Sequence, residues 1–211
     1  MDNYNSTADD LKSIRKIMEE SSRFLSLSGL SGVFAGLFAI AGAAVAWFLI
    51  LDNGSIKYDE HFRNVTGEGT SMLRLKLIAD ALVVLVLSVA IAVYFSVKRA
   101  SKKGLSIWTP VTRRLLLNLM IPLVTGGLLI IILMFRNDLQ LVVPGMLIFY
   151  GLALVNAGKF TFGEIFYLGL LEILTGLVSA VFTGYGIIFW IIGFGILHIV
   201  YGLLMYRKYE S

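Results

Sequence analysis

Polar and apolar positions in this chain segregate into long blocks instead of alternating with a short period. Six blocks are almost wholly apolar, over residues 24–50, 77–97, 112–135, 139–157, 161–183 and 185–206. At about 1.5 Å of rise per residue, each is long enough for one helix to cross an apolar layer about 30 Å thick. The pattern predicts an all-α fold, a polytopic membrane bundle of six transmembrane helices. Residues 1–23 read differently. Thr7 and Asp10 have the spacing of a capping box, and Leu11, Ile14 and Met18 form an apolar stripe between charged faces. The expected organisation is a short amphipathic helix within 1–23, lying on the membrane surface, followed by a six-helix transmembrane domain over 24–211. The longest polar connection, 51–73, holds the turn Asp52-Asn53-Gly54, a flexible Gly67-Glu68-Gly69, and His61 beside Asp59 and Glu60. That acidic cluster lacks a metal-ligand spacing and is read as a solvated loop.

Small residues add a second pattern inside the blocks. Gly29, Gly32, Gly36, Ala39, Ala43 and Ala46 recur at three- and four-residue intervals in the first span, with Gly32 and Gly36 as a GxxxG pair. A face this smooth lets another backbone approach closely, so the first span is expected at the centre of the bundle or in a homo-oligomer seam. Near the other terminus one motif occurs twice. Glu172 lies between Gly169 and Gly176, and His198 lies between Gly195 and Gly202. The spacing i, i+3, i+7 keeps each trio on one helix face. Thr183-Gly184-Tyr185-Gly186 reads as the turn of an antiparallel hairpin, and Glu172 and His198 are equidistant from Tyr185. The two should therefore meet at one depth, as a hydrogen-bonded pair, because isolated charges deep in a bilayer are costly.

Other polar groups within the spans include Asp80, Asn118, Glu164 and Tyr201. Asp80 lies one helical turn from Lys76, which predicts a local ion pair. Asn118 precedes Pro122 by four residues. The proline has no N–H to give its carbonyl, so a bend and a polar notch are expected there. Glu164 and Tyr201 join Glu172, His198 and Asn118 as candidates for a buried polar site. Two histidines and no cysteine exclude a histidine-rich or thiolate metal centre, and neither a metal nor a cofactor is expected.

Composition and charge then fix the class. With 57% hydrophobic and 15% charged residues the chain has too little polar surface to coat a soluble globule. The net charge of +4 does not point to nucleic acid, because the cations cluster at the ends of the apolar blocks. If the N-terminus is inside, thirteen of the 18 Lys and Arg residues fall on the cytoplasmic side and five outside, so both termini are expected in the cytoplasm. Trp108 reads as an interface anchor and Thr109-Pro110 as a helix start. The acidic N-terminus does not resemble a signal peptide.

The runs Ser22-Arg-Phe-Leu-Ser-Leu-Ser-Gly-Leu-Ser-Gly32, Ile121-Pro-Leu-Val-Thr-Gly-Gly127, Ile148-Phe-Tyr-Gly-Leu-Ala-Leu-Val-Asn156 and Gly193-Phe-Gly-Ile-Leu-His198-Ile-Val-Tyr-Gly202 resemble those of an uncharacterised family of bacterial six-span integral membrane proteins. The resemblance implies the six-span topology and a bacterial inner (cytoplasmic) membrane, and implies no activity or functional residue. The residues themselves leave three function classes open. The first is a non-enzymatic sensor, assembly or regulatory protein, with the lipid bilayer and a homo-oligomer or membrane-protein partner as its contacts. The second is a proton-linked small transporter or channel using Glu172 and His198. The third is an intramembrane enzyme, against which stands the lack of any H-E-x-x-H or G-x-S-x-G motif. A transporter should have a polar path to Glu172 from both faces, an enzyme a one-sided pocket, and a regulator a dry pair.

Overall fold

The computed structural model describes residues 24, 26–50, 68–136 and 138–210. Among them every regular element is helical, and six helices are long and apolar enough to cross a membrane. Helix α1 is Gly29–Val45, continued by a π-helical turn at Ala46–Ile50. Helix α2 is Glu68–Lys102 and α3 is Pro110–Phe135. A 3₁₀ turn at Leu139–Leu141 leads into α4, Val142–Gly158. Helix α5 is Gly163–Val181. Helix α6 covers Gly186–Tyr209, and its middle segment, Ile191–Leu197, is wound as a π-helix. The amphipathic helix expected within residues 7–22 and the cluster around His61 lie outside the described residues.

Local chemistry sets several helix ends. Thr109 caps α3, its Oγ1 accepting the Thr112 N–H at 3.2 Å, and Pro110 occupies the first turn, where no N–H is needed. Pro122 lies within α3, and Pro144 in the first turn of α4. Between α5 and α6 the chain reverses through Gly184 at φ 92°, a left-handed conformation that a side chain disfavours.

Helix α2 departs from expectation. It starts at Glu68, so Glu68 and Gly69, read as part of a flexible stretch, are helical. A helix of 35 residues is about 52 Å long, well beyond the apolar thickness of a bilayer, so its polar ends extend into water without breaking the helix. The Lys76–Asp80 ion pair does not form. Lys76 is exposed, and the Asp80 carboxylate turns toward α1, where a Cβ added to Gly42 would lie 3.5 Å from Oδ2.

The helices pack in the order α2, α1, α6, α5, α4, α3. Although α5 and α6 are joined by a tight turn, α5 packs most extensively on α4, and α6 on α1. Glycine explains both preferences. A Cβ on Gly36 would meet the Gly195 carbonyl at 2.5 Å, and one on Gly29 or Gly202 would strike the facing backbone at 2.4 Å or 2.5 Å. Gly32 has Gly202 Cα at 3.2 Å from the same construction. The smooth face of the first span is thus covered by α6 within the chain. On the other side, the Gly151 and Gly169 backbones close on each other, and Gly176 seats against Ile148. Where lipid is as apolar as leucine, such backbone proximity and its van der Waals contact hold helices together.

A polar knot ties the end of the bundle that carries the C-terminus. The Glu210 carboxylate accepts the Gly29 N–H at 2.5 Å and the Ser28 hydroxyl at 3.0 Å, so the last turn of the chain caps the first described helix. The buried Arg99 guanidinium, from α2, donates to Glu210 Oε1 at 2.9 Å, to the Tyr209 carbonyl at 3.0 Å and to the Leu27 carbonyl. Three helices are joined at one point, with every partner satisfied.

Candidate functional site

Glu172, His198 and Tyr150 come together midway between the two ends of the bundle. Glu172 lies nine residues from either end of α5, about 14 Å of helix in each direction. Tyr150 is eight residues from either end of α4, and His198 is near the middle of α6. The expected meeting of Glu172 and His198 takes place, with Nδ1 to Oε1 at 3.3 Å. Glu172 is completely buried and His198 is 6% exposed.

Glycine makes the socket. A Cβ at Gly193 would lie 2.7 Å from Glu172 Oε2 and 2.4 Å from Leu147 Cδ2, so the carboxylate occupies the volume that any larger residue would fill. The π-helical segment presents the histidine. Its Nδ1 lies 3.2 Å from the carbonyl of Gly193, five residues back. Isolated π turns are often found at functional sites in helices. From behind, α1 supports the histidine's backbone, because Gly32 permits the His198 carbonyl to come within 3.3 Å of its would-be Cβ.

The hydrogen bonds define the tautomer and expose an anomaly. Nδ1 faces the Gly193 carbonyl, which only accepts, so Nδ1 carries a proton. Nε2 then accepts from the Tyr150 hydroxyl at 2.8 Å while the ring is neutral, and would donate to it if the ring were charged. The Nδ1–H is directed to the carbonyl and not to the carboxylate. The 3.3 Å contact with Glu172 is therefore close enough for charge attraction but is not a hydrogen bond. Neither Glu172 oxygen has a hydrogen-bond partner among the described residues. Burying a carboxylate in this way is expensive, and His198 is the group that can offset its charge.

One edge of the site is aromatic. Trp190 packs on Phe194 at 4.7 Å between ring centroids, Phe194 on Tyr150 at 5.3 Å, and Tyr150 on His198 at 5.4 Å. The Trp190 indole N–H is tied to the Ala39 carbonyl of α1 at 3.1 Å. Packed rings thus run without a break from His198 to the α1–α6 seam.

The other candidates lie elsewhere. Tyr201 is buried on α6 one turn beyond His198, and its hydroxyl has no hydrogen-bond partner among the described residues. Glu164 is separated from Glu172 by two helical turns and belongs to the bundle end, where it binds Lys208 at 2.5 Å and the Tyr209 hydroxyl at 3.1 Å. Its surroundings make it a surface ion pair, not part of the mid-depth site. Asn118 donates to the Arg114 carbonyl on its own helix at 2.8 Å, which satisfies the amide locally and keeps it out of the site. Tyr150 is the member that the sequence reading missed. Its signal was position, since a polar-tipped ring at the midpoint of the fourth span has few routes to water.

No group of three or more histidine, cysteine, aspartate or glutamate side chains suited to a metal ion occurs among the described residues. No protein-family model, curated protein or solved structure matches this chain.

Proposed function

We infer that this is a non-enzymatic integral membrane protein of the bacterial inner membrane, of a sensor, assembly or regulatory kind, in which the Tyr150–His198–Glu172 chain couples protonation to helix packing. The observation that carries the reading is the fully buried Glu172 carboxylate without a hydrogen bond. A structural carboxylate would be satisfied, as Glu210 is. One left unsatisfied in a low-dielectric interior depends for its stability on the neighbouring imidazole. The titratable groups around it are His198 from α6 and, beyond the ring, Tyr150 from α4. The distribution of Lys and Arg supports cytoplasmic termini, and the sequence resemblance supports the bacterial membrane.

A second reading, proton-linked transport, draws on the same unsatisfied acid at mid-depth, since an intramembrane carboxylate can serve as a proton carrier. One experiment separates the two. A variant with Trp47→Phe and Trp108→Phe keeps Trp190 as its reporter. In liposomes it should show a reversible change of emission with pH that disappears on adding Glu172→Gln, while no proton flux is seen. Glu172-dependent flux would replace the regulatory reading with the transport one. Emission independent of both pH and residue 172 would remove the basis for either.

A further inference from the structure

The loop joining α2 to α3 has a separate chemistry. Among the described residues no carboxylate pairs with Lys102, Lys103, Arg113 or Arg114, and the described acids of this end, Glu164 and Glu210, are held by other cations. All four cations are exposed. Between them the loop holds two apolar side chains out into the surroundings, Leu105 at 47% exposure and Trp108 at 77%.

This presentation is built into the backbone. The Leu105 N–H bonds the Ala100 carbonyl at 2.9 Å and the Gly104 N–H bonds the Ser101 carbonyl at 3.2 Å, with Gly104 left-handed at φ 63°. That is a Schellman closure of α2. At the other end, the Thr112 hydroxyl donates to the Ile107 carbonyl at 2.6 Å and Thr109 caps α3. A loop fixed at both ends does not hide its tryptophan, so the exposed indole needs an environment that is wet at one edge and apolar at the other, as in the headgroup layer.

The helices below complete the surface. Helix α2 packs on α1 and α3 on α4, and despite their short connection α2 and α3 make almost no contact with each other. Only 6% of the most apolar stretch of α2 is buried. Exposed apolar side chains continue from the loop down both helices, Val97 and Tyr94 on α2 and Leu116 and Leu117 on α3. Lys98 places its Nζ 5.7 Å from the centroid of the Tyr94 ring, one helical turn back on α2.

We propose that Lys102, Lys103, Arg113 and Arg114, with Trp108 between them, form a binding surface for an anionic phospholipid, the phosphate resting on the four cations and the acyl chains along the exposed flanks of α2 and α3. Exposed cations with no carboxylate partner among the described residues, above apolar flanks, match a headgroup of negative charge carried on two tails, and a zwitterionic headgroup gains little from them.

The test uses the full-length protein in a neutral detergent, titrated with short-chain phosphatidylglycerol or with phosphatidylcholine of the same chains, and the midpoint of thermal unfolding as the readout. Phosphatidylglycerol should reach half its effect at a concentration at least about tenfold lower than phosphatidylcholine, and high salt should erase the difference. The quadruple change Lys102→Gln, Lys103→Gln, Arg113→Gln and Arg114→Gln should lose the preference. The charge-conserving set Lys102→Arg, Lys103→Arg, Arg113→Lys and Arg114→Lys should keep it. If the quadruple glutamine protein does not fold, the salt titration of the unmodified protein decides. Equal response to the two lipids, a preference that survives high salt or loss of the four charges, or the same effect from glycerol phosphate without tails would each overturn the proposal.

Discussion

Glu172 and Glu210 each lie beside a cation-forming side chain, the first fully buried and the second partly so, and they are treated in opposite ways. Glu210, at the end of the bundle, is in contact with the Arg99 guanidinium, the Ser28 hydroxyl and the Gly29 amide, with distances of 2.5 to 3.0 Å. Glu172, at the middle, is more deeply buried, yet neither of its oxygens has a hydrogen-bond partner among the described residues, and the imidazole at 3.3 Å directs its proton elsewhere. The first arrangement resists change, because arginine keeps its charge and each donor is fixed by backbone or helix. The second lacks such donors, and the imidazole is its one neighbouring ion-pair partner among the described residues. The contrast separates a clasp from an acid left without a donor among the described residues.

The comparison can be broken at the clasp. Arg99→Ala should leave Glu210 without its cation and expose the α1 cap, at a cost of about 3 kcal/mol, while Glu210→Gln should cost less because the amide oxygen can still accept the Ser28 and Gly29 donors. Thermal unfolding in detergent measures both. Equal, small losses would mean that the clasp contributes no more than a surface pair.

It can be sharpened at the socket. Gly193→Ala would place a methyl group 2.7 Å from Glu172 Oε2 and 2.4 Å from Leu147 Cδ2, so that one or both of these fully buried side chains would have to shift. The expected loss is about 1–3 kcal/mol, as for overpacking elsewhere. Gly127→Ala, where a Cβ meets nothing within 4 Å, serves as the control and should be neutral or slightly stabilising. If the two alanines behave alike, the socket is looser than the geometry indicates.

How much of this was legible beforehand follows from the range of each interaction. Hydropathy located all six helices because a span is a property of consecutive residues. The twin motifs around Glu172 and His198 brought those two together because a hairpin relates positions by simple symmetry. Tyr150 escaped because its partner is contributed by a helix that the sequence order does not pair with α4, and its hydroxyl is ordinary until His198 Nε2 is placed 2.8 Å away. Arg99 and Glu210 escaped for a similar reason. They are 111 residues apart, in segments that read as a basic connection and a polar tail. The π-helical segment left no mark in the hydrophobic pattern, although it sets the direction in which His198 points. Asp80 was assigned to its nearest charge in the sequence, whereas the space left by Gly42 on another helix decided its direction.

Glu172 depends on His198 without being hydrogen-bonded by it, and a double-mutant cycle of Glu172→Gln and His198→Asn measures that dependence. His198→Asn alone strands a buried carboxylate and should cost about 3 kcal/mol of unfolding free energy. Glu172→Gln alone removes a carboxylate that had no hydrogen bond to lose, and should cost less than about 1 kcal/mol. In the double variant, His198→Asn should again become inexpensive, which gives a coupling energy of about 2 kcal/mol. Simple additivity, or a Glu172→Gln variant as damaging as His198→Asn, would contradict the account and make the site an ordinary piece of packing.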